Sequence, residues 1–241
     1  MNSEVKHTAL ITGASMGLGL ALARELARQQ WGLIIDARHA DKLEAARAEL
    51  AKLTQVTAIA GDVSDREHCE ALAKAAHDAG GLDALVNNAS TLGPLPRPNL
   101  LDFPVDGLLE VYLVNVIAPL GLIQTVRPDL KPNARIINVT SDAGVEAYAG
   151  WGGYGSSKAA LEHLSAIMAA ELADELPSMR VYWVDPGDMQ TQMNQDAYPG
   201  QDISDRGLPE ESVPGFVELL TGDYPSGRYA AKALSTKTIA P

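Results

Sequence analysis

Thr8-Ala9-Leu10-Ile11-Thr12-Gly13-Ala14-Ser15-Met16-Gly17-Leu18-Gly19 is the stretch whose reading decides the fold. A short apolar run, too short for a helix, meets a turn rich in glycine. Leu18, Leu22 and Leu26 then recur four apart, which places them on one face of a helix. The order is therefore strand, glycine turn, helix. Glycines there let the backbone approach a pyrophosphate, and the helix N-terminus offers unpaired N–H groups at the positive end of its dipole. Gly13, Ser15, Met16, Gly17, Leu18 and Gly19 are the expected contacts to a dinucleotide. The same residues also spell G-x-S-x-G, the turn that presents a nucleophilic serine in α/β-hydrolases. That reading makes Ser15 a nucleophile. It needs an oxyanion loop from an earlier strand, where only 12 residues precede Gly13, and a histidine in a late strand-end loop, where none lies.

Outward from this turn, apolar runs alternate with helical patterns. The runs are Thr8–Thr12, Leu33–Asp36, Val56–Ala60, Ala84–Asn87, Arg135–Thr140 and Val181–Asp185. They are continuous rather than alternating, as strands covered on both faces are. Leu43, Ala46, Leu50 and Leu53 form one helical face, and Leu161, Leu164, Met168 and Leu172 another. The rhythm predicts an α/β fold, a doubly wound Rossmann-type parallel sheet flanked by helices on both faces, in a single domain over 1–241. It stops after Gly187. The segment of about 188–225, rich in Asp, Pro and Gly, reads as a mobile cover over the substrate with one short helix near Glu218.

Composition narrows the partners. Nineteen Lys and Arg against 31 Asp and Glu leave a net charge of −12, which argues against nucleic acid or an anionic membrane as partner. The one cysteine, Cys69, excludes an internal disulfide and suits a reducing compartment. No signal peptide is read, no apolar run approaches a spanning helix, and the cytoplasm is the expected location. No metal is expected.

Five further features lie at strand ends or helix starts. They are Asp62-Val63, Asn87-Asn88-Ala89-Ser90, Ser141, Tyr154-Gly155-Ser156-Ser157-Lys158, and Pro186-Gly187 with Thr191. Together with T-G-x-x-x-G-x-G they resemble the short-chain dehydrogenase/reductase family, in its short single-domain branch, over Thr8 to Thr191. The resemblance implies an NAD(P)-dependent oxidoreductase acting on a carbonyl or alcohol. Reducing a ketone needs hydride on carbon and a proton on oxygen. A phenol titrates near 10, poorly matched to neutral pH. Lys158, one helical turn from Tyr154, is expected to lower that value. Ser141 is expected to hold the substrate oxygen as charge develops.

By similarity to the family, Lys158 also binds the nicotinamide ribose. Asn115 matches a helical Asn that holds a water in the proton relay, Asp62 contacts the adenine, and Asn88-Ala89 line the ribose. The family usually has Gly where Ser90 stands. The resemblance also implies a homodimer or homotetramer, paired through the helices that carry Asn115 and Tyr154.

Strand two ends Ile35-Asp36-Ala37-Arg38-His39. A carboxylate about 20 residues past the glycine loop grips the ribose 2′-OH of NAD, whereas a nearby Arg accommodates the 2′-phosphate of NADP. Aligned on the family pattern, the selecting acid falls at Ala37 and Arg38 falls where NADP users carry Arg. Met16 stands where many NADP users have a basic residue. NADP(H) is favoured over NAD(H). Tyr148, Trp151 and Tyr198 are candidate walls of the substrate pocket, and Glu146 a candidate polar contact. A dinucleotide-binding redox sensor without turnover is the alternative. Such a relative is expected to lack Tyr154, Lys158 or Ser141, and all three are present.

Overall fold

Seven strands assemble in the order β3-β2-β1-β4-β5-β6-β7, every pairing parallel. They are β1 (Thr8–Ile11), β2 (Gly32–Ala37), β3 (Val56–Ala60), β4 (Leu82–Asn87), β5 (Leu130–Val139), β6 (Arg180–Asp185) and β7 (Gly227–Ala230). The structure, a computed structural model, describes residues 7–235. The first six strands stand where the apolar runs predict them. The seventh is a correction to the reading of the sequence. Gly-Arg-Tyr-Ala is short, half-exposed and at the sheet edge, so it leaves no apolar run to read.

The helices are α1 (Gly17–Arg28), α2 (Ala40–Leu50), α3 (Arg66–Asp78), α4 (Val105–Tyr112), α5 (Ala118–Val126), α6 (Gly152–Glu175), α7 (Gln192–Ala197), α8 (Val213–Thr221) and α9 (Ala231–Ser235). Side-chain alternation along the strands feeds two cores. Ile11, Ile35, Val86 and Ile137 face Leu18, Leu22, Leu26, Leu43 and Phe216. Leu10, Ile34, Leu85 and Ile136 face Leu72, Leu122 and Val126 on the other side. Each such Leu, Ile or Val contributes about 1.5–3 kcal/mol by leaving water. Leu53, grouped by spacing with Leu43 and Leu50, is instead exposed beyond the end of α2. Cys69 lies in the second core, and burial pushes its thiol up to about 11.

Two more expectations change. Val105–Asp129 is one continuous helical run of 25 residues, long and apolar enough by composition to cross a membrane. Here it packs its inner side on α3 and α6, with Val111, Asn115, Val116, Leu122, Ile123 and Val126 buried. The segment 188–225 carries α7 and α8 rather than one short helix. Val213, Phe216, Leu219 and Leu220 bury one face of α8 in the core, so that half of the segment is structural.

The strand order reverses between β1 and β4, where the chain continues to opposite sides of the sheet. Ligands of such sheets bind in the crevice beyond the strand ends at this point.

Candidate active site

The glycine loop lies at that crevice. Gly13 and Gly17 both have φ in the left-handed region, +65° and +55°. A Cβ on Gly19 would lie 2.6 Å from the Gly13 carbonyl oxygen, so α1 reaches the loop only because Gly19 is bare. No side chain caps α1, which leaves its first N–H groups for a ligand. Leu18 is buried, so it offers its backbone alone, while Met16 is exposed at the rim.

Polar side chains fix the loop from beneath. Thr12 Oγ1 accepts from the backbone N–H of Asn88 (2.9 Å) and Ala89 (3.0 Å). The Asn88 amide donates to the carbonyls of Thr12 (2.8 Å) and Gly13 (3.2 Å), so it braces the loop. Asp36 turns inward and is 1% exposed. Its Oδ1 accepts from Gly13 N–H at 2.8 Å and its Oδ2 lies 3.0 Å from His68 Nε2, also buried. Burial raises the Asp36 pKa, against the lowering effect of its hydrogen bonds from His68 and Gly13. Asp36 therefore cannot reach a ribose. Ala37 has no carboxylate. Arg38 is exposed and makes no hydrogen bond or ion pair among the described residues. Asp62 accepts from Ser64 N–H (2.9 Å) and Oγ–H (2.7 Å) in a local turn, and Asp65 caps α3 in its place. Burial raises the Asp62 pKa, but the Ser64 hydrogen bonds and the nearby charge of Arg38 outweigh it and leave the carboxyl below its ordinary value. The histidines of the hydrolase reading lie elsewhere, and Ser15 hydrogen-bonds none of them among the described residues.

Ser141, Tyr154, Tyr148, Trp151, Tyr198, Pro186, Gly187 and Thr191 meet around one cleft of about 330 Å³. Ser141 lies two residues beyond β5 and caps the tight turn Asp142–Gly144. Its hydroxyl donates to Asp142 Oδ1 at 2.9 Å. Tyr154 lies in the first turn of α6, which can approach that turn because Gly155 has no side chain. A Cβ there would lie 2.6 Å from the Ala143 carbonyl oxygen. Lys158, one turn on, is 2% exposed and donates from Nζ to the Val139 carbonyl at 2.8 Å, leaving further N–H donors for a ligand. Nζ stands 5.4 Å from the Tyr154 ring centre.

The protonation pattern departs from expectation. Burial raises the Tyr154 phenol above its ordinary range, a hydrogen bond with Ser141 pulls it back, and the carboxylates of Asp185 and Asp142 raise it further. Burial also brings Lys158 down to about 7, opposed by the charge of Glu162. The lowering influence on Tyr154 comes from Ser141, while Lys158 is itself held below the ordinary lysine range by burial.

Asn115 is also placed differently. It lies in the π-helical stretch Leu113–Ile117 and is fully buried. Its Oδ1 accepts from Ser90 Oγ (3.0 Å) and Thr91 N–H (2.9 Å), and its Nδ2 donates to the Thr91 carbonyl (2.9 Å) and Ser157 Oγ (3.0 Å). All four positions of the side-chain amide are taken, so it ties the loop after β4 to α6.

Among the aromatics, Trp151 packs on Tyr154 (5.6 Å between centroids) and on Tyr198 (5.9 Å). The Tyr148 hydroxyl donates to Asp142 at 3.1 Å. Thr191 caps α7, and its methyl stands 3.5 Å from where a Cβ on Gly17 would lie. Glu146 is exposed and does not line the cleft. Sequence reasoning missed Arg97, whose guanidinium stacks 3.8 Å from the Trp151 ring centre and donates to the Ala197 carbonyl at 2.8 Å. It missed Asp142 and Asp185 as well. A carboxylate at a strand end was the available signal for Asp185, and nothing local marks Arg97. Among the described residues no cluster of His, Cys, Asp and Glu is arranged for a metal.

Such a sheet and site define a dinucleotide-binding oxidoreductase. The chain belongs to the short chain dehydrogenase family, whose model matches residues 7–202. The chain is 33% identical over 226 residues to a 1-deoxy-11-beta-hydroxypentalenate dehydrogenase of Streptomyces exfoliatus, covering 90% of this chain and 80% of that protein. A short chain dehydrogenase structure from Pseudomonas syringae matches at TM-score 0.88 and 29% identity, over 94% of this chain and 95% of that one. One from Shigella flexneri, complexed with NADP, matches at TM-score 0.85 and 25% identity, over 96% and 99%.

Proposed function

We propose that the protein reduces a ketone or aldehyde to an alcohol, with NADPH favoured over NADH. The observation that carries this reading is the convergence of Ser141 and Tyr154 on one cleft, with Lys158 buried beneath them. The uncapped N-terminus of α1 and the bare Gly19 suit a pyrophosphate, and the spare donors of Lys158 suit ribose hydroxyls. When bound, the nicotinamide supplies hydride to the carbonyl carbon. Ser141 releases its hydrogen bond to Asp142 and donates to the carbonyl oxygen. Tyr154 gives the same oxygen its proton.

The inward turn of Asp36, the absence of an acid at position 37 and the free Arg38 support a 2′-phosphate, as does the NADP held by the Shigella relative. The homodimer or homotetramer is supported by a strip of exposed Val105, Leu109, Leu113 and Ile117, four apart on the outer face of the α4–α5 run. Sedimentation at micromolar concentration reads its mass.

The test is NADPH consumption against a panel of ketones, aldehydes and quinones. Tyr154→Phe should lower turnover by about 10²–10⁴-fold and leave NADPH binding nearly intact. A wild-type protein that binds NADPH and turns over no carbonyl would point to the sensor instead.

A further inference from the structure

Behind Ser141, Tyr154 and Lys158 lies a chain of charges that no motif marks. Glu162 follows Lys158 by one turn on α6, its side chain 11% exposed. It accepts from Thr140 Oγ1 at 2.7 Å and from Arg228 Nε at 3.0 and 3.2 Å. Arg228 comes from the edge strand β7. Its Nη2 donates to the backbone carbonyl of Ser141 at 3.2 Å and stands 3.6 Å from Asp185 Oδ2. Asp185 ends β6, lines the cleft and accepts from Gly187 N–H at 2.8 Å. One guanidinium thus bridges the carbonyl of Ser141, the carboxylate beside Lys158 and the carboxylate beside Tyr154.

Buried charges of this kind are costly unless each is matched. Removing Arg228 would leave two carboxylates facing the site without their counter-charge. It would also free the Ser141 turn on one side, and small displacements of a group that must meet a reacting atom are expensive in rate. A planar fork reaches these partners from two nitrogens held in fixed geometry, a span that the single nitrogen of an ammonium lacks.

We propose that Glu162 and Arg228 are positioning residues of this site: the pair fixes the Ser141 turn from behind and balances the charges around Tyr154 and Lys158. The kinetic part of this inference rests on the carbonyl-reductase reading, and the electrostatic part does not. The groups that face Lys158 are Tyr154 and Glu162 from α6 and the Val139 carbonyl from β5; Asp142 and Asp185 act on Tyr154, and Arg228 from β7 reaches Glu162 and Asp185.

Two signals test it. The first is the NMR titration of the Lys158 ε-carbon in ¹³C-lysine protein, assigned with Lys158→Met, which needs no substrate. The second is kcat and KM with NADPH and the best carbonyl found. Glu162→Gln should move the Lys158 midpoint down, and Arg228→Met should move it up. Both should lower kcat by about ten- to a hundredfold, with KM for NADPH changed less than about twofold. Arg228→Lys should bring the midpoint back while kcat stays low. If Glu162→Gln does not fold, the two Arg228 variants carry the test.

Unmoved midpoints with unmoved kcat overturn the inference, as does a fall in melting temperature alone. Midpoints that shift in a wild-type background with no turnover sink the carbonyl-reductase reading and leave the charge balance standing. Unmoved midpoints with no turnover sink both.

Discussion

Asp36 and Asp185 occupy equivalent places in two regions of the sheet. Each sits at the C-terminal end of a parallel strand. Each accepts a backbone N–H from a turn glycine at 2.8 Å, Asp36 across the sheet from Gly13 in the turn after β1, and Asp185 locally from Gly187 in the turn after its own strand. Burial raises the pKa of both. They differ in what stands opposite. Asp36 is sealed from solvent against His68, a partner that can lose its charge. Asp185 faces the cleft and Tyr154, and its partner is Arg228, whose charge is permanent. A strand-end carboxylate thus braces a turn in both places, between neighbouring strands at Gly13 and within one turn at Gly187. The permanent counter-charge stands where the carboxylate faces Tyr154.

The largest break in this comparison is Asp36→Ala. It strands the Gly13 N–H and His68 in a buried place, at about 1–3 kcal/mol, or a melting temperature roughly 2–12 °C lower. NADPH affinity should fall with it, read by calorimetry. Two residues along the same strand end, Arg38→Ala should do the opposite. It should leave the melting temperature alone and weaken NADPH by about tenfold, with NADH unchanged. A strong preference for NADH, indifferent to that substitution, would remove Arg38 from the cofactor site.

Asp185→Asn sharpens the contrast. The amide oxygen still serves Gly187, so the fold should hold, but a negative neighbour of Tyr154 is gone. The pH limb of alcohol oxidation, where the phenolate is needed, should move to lower pH by about one unit. The smallest effect is in the pH dependence of stability. The folded pKa of Asp36 lies above its ordinary 3.8. Between those two values the folded state binds more protons than the unfolded one, so this group's contribution is full below 3.8 and is lost as pH rises through the folded pKa. Melting of the wild type and of Asp36→Asn from pH 4 upward should show a steeper loss in the wild type, the difference between the two curves being the part due to Asp36.

Much of this was legible in the sequence because it depends on neighbours along the chain. Leu10, Ile34 and Ile136 announce buried strands by type. The glycine loop is a local requirement of backbone geometry, and Tyr154 with Lys158 is a helical spacing. What stayed hidden depends on distance in sequence. Nothing near Asp36 says that His68 will close over it, so its carboxylate could be read as a ribose ligand. The saturation of Asn115 depends on Ser90, Thr91 and Ser157, three residues from two other elements. The rise in the Tyr154 pKa comes first from burial and then from Asp185 and Asp142, all of which only the fold supplies. β7 escaped because an edge strand of four residues has one neighbour to satisfy and few apolar side chains to bury.

That edge strand has a consequence for how the molecule assembles. Glu162 is nearly enclosed once α6 lies on β5, with Thr140 and Lys158 beside it, and its guanidinium partner arrives only with β7. Until β7 docks on β6, closing α6 leaves that carboxylate short of its permanent counter-charge. The helix that carries Tyr154 and Lys158 and the outermost strand therefore stabilise each other, and a chain in which β7 cannot pair finishes the far end of that salt bridge at a cost.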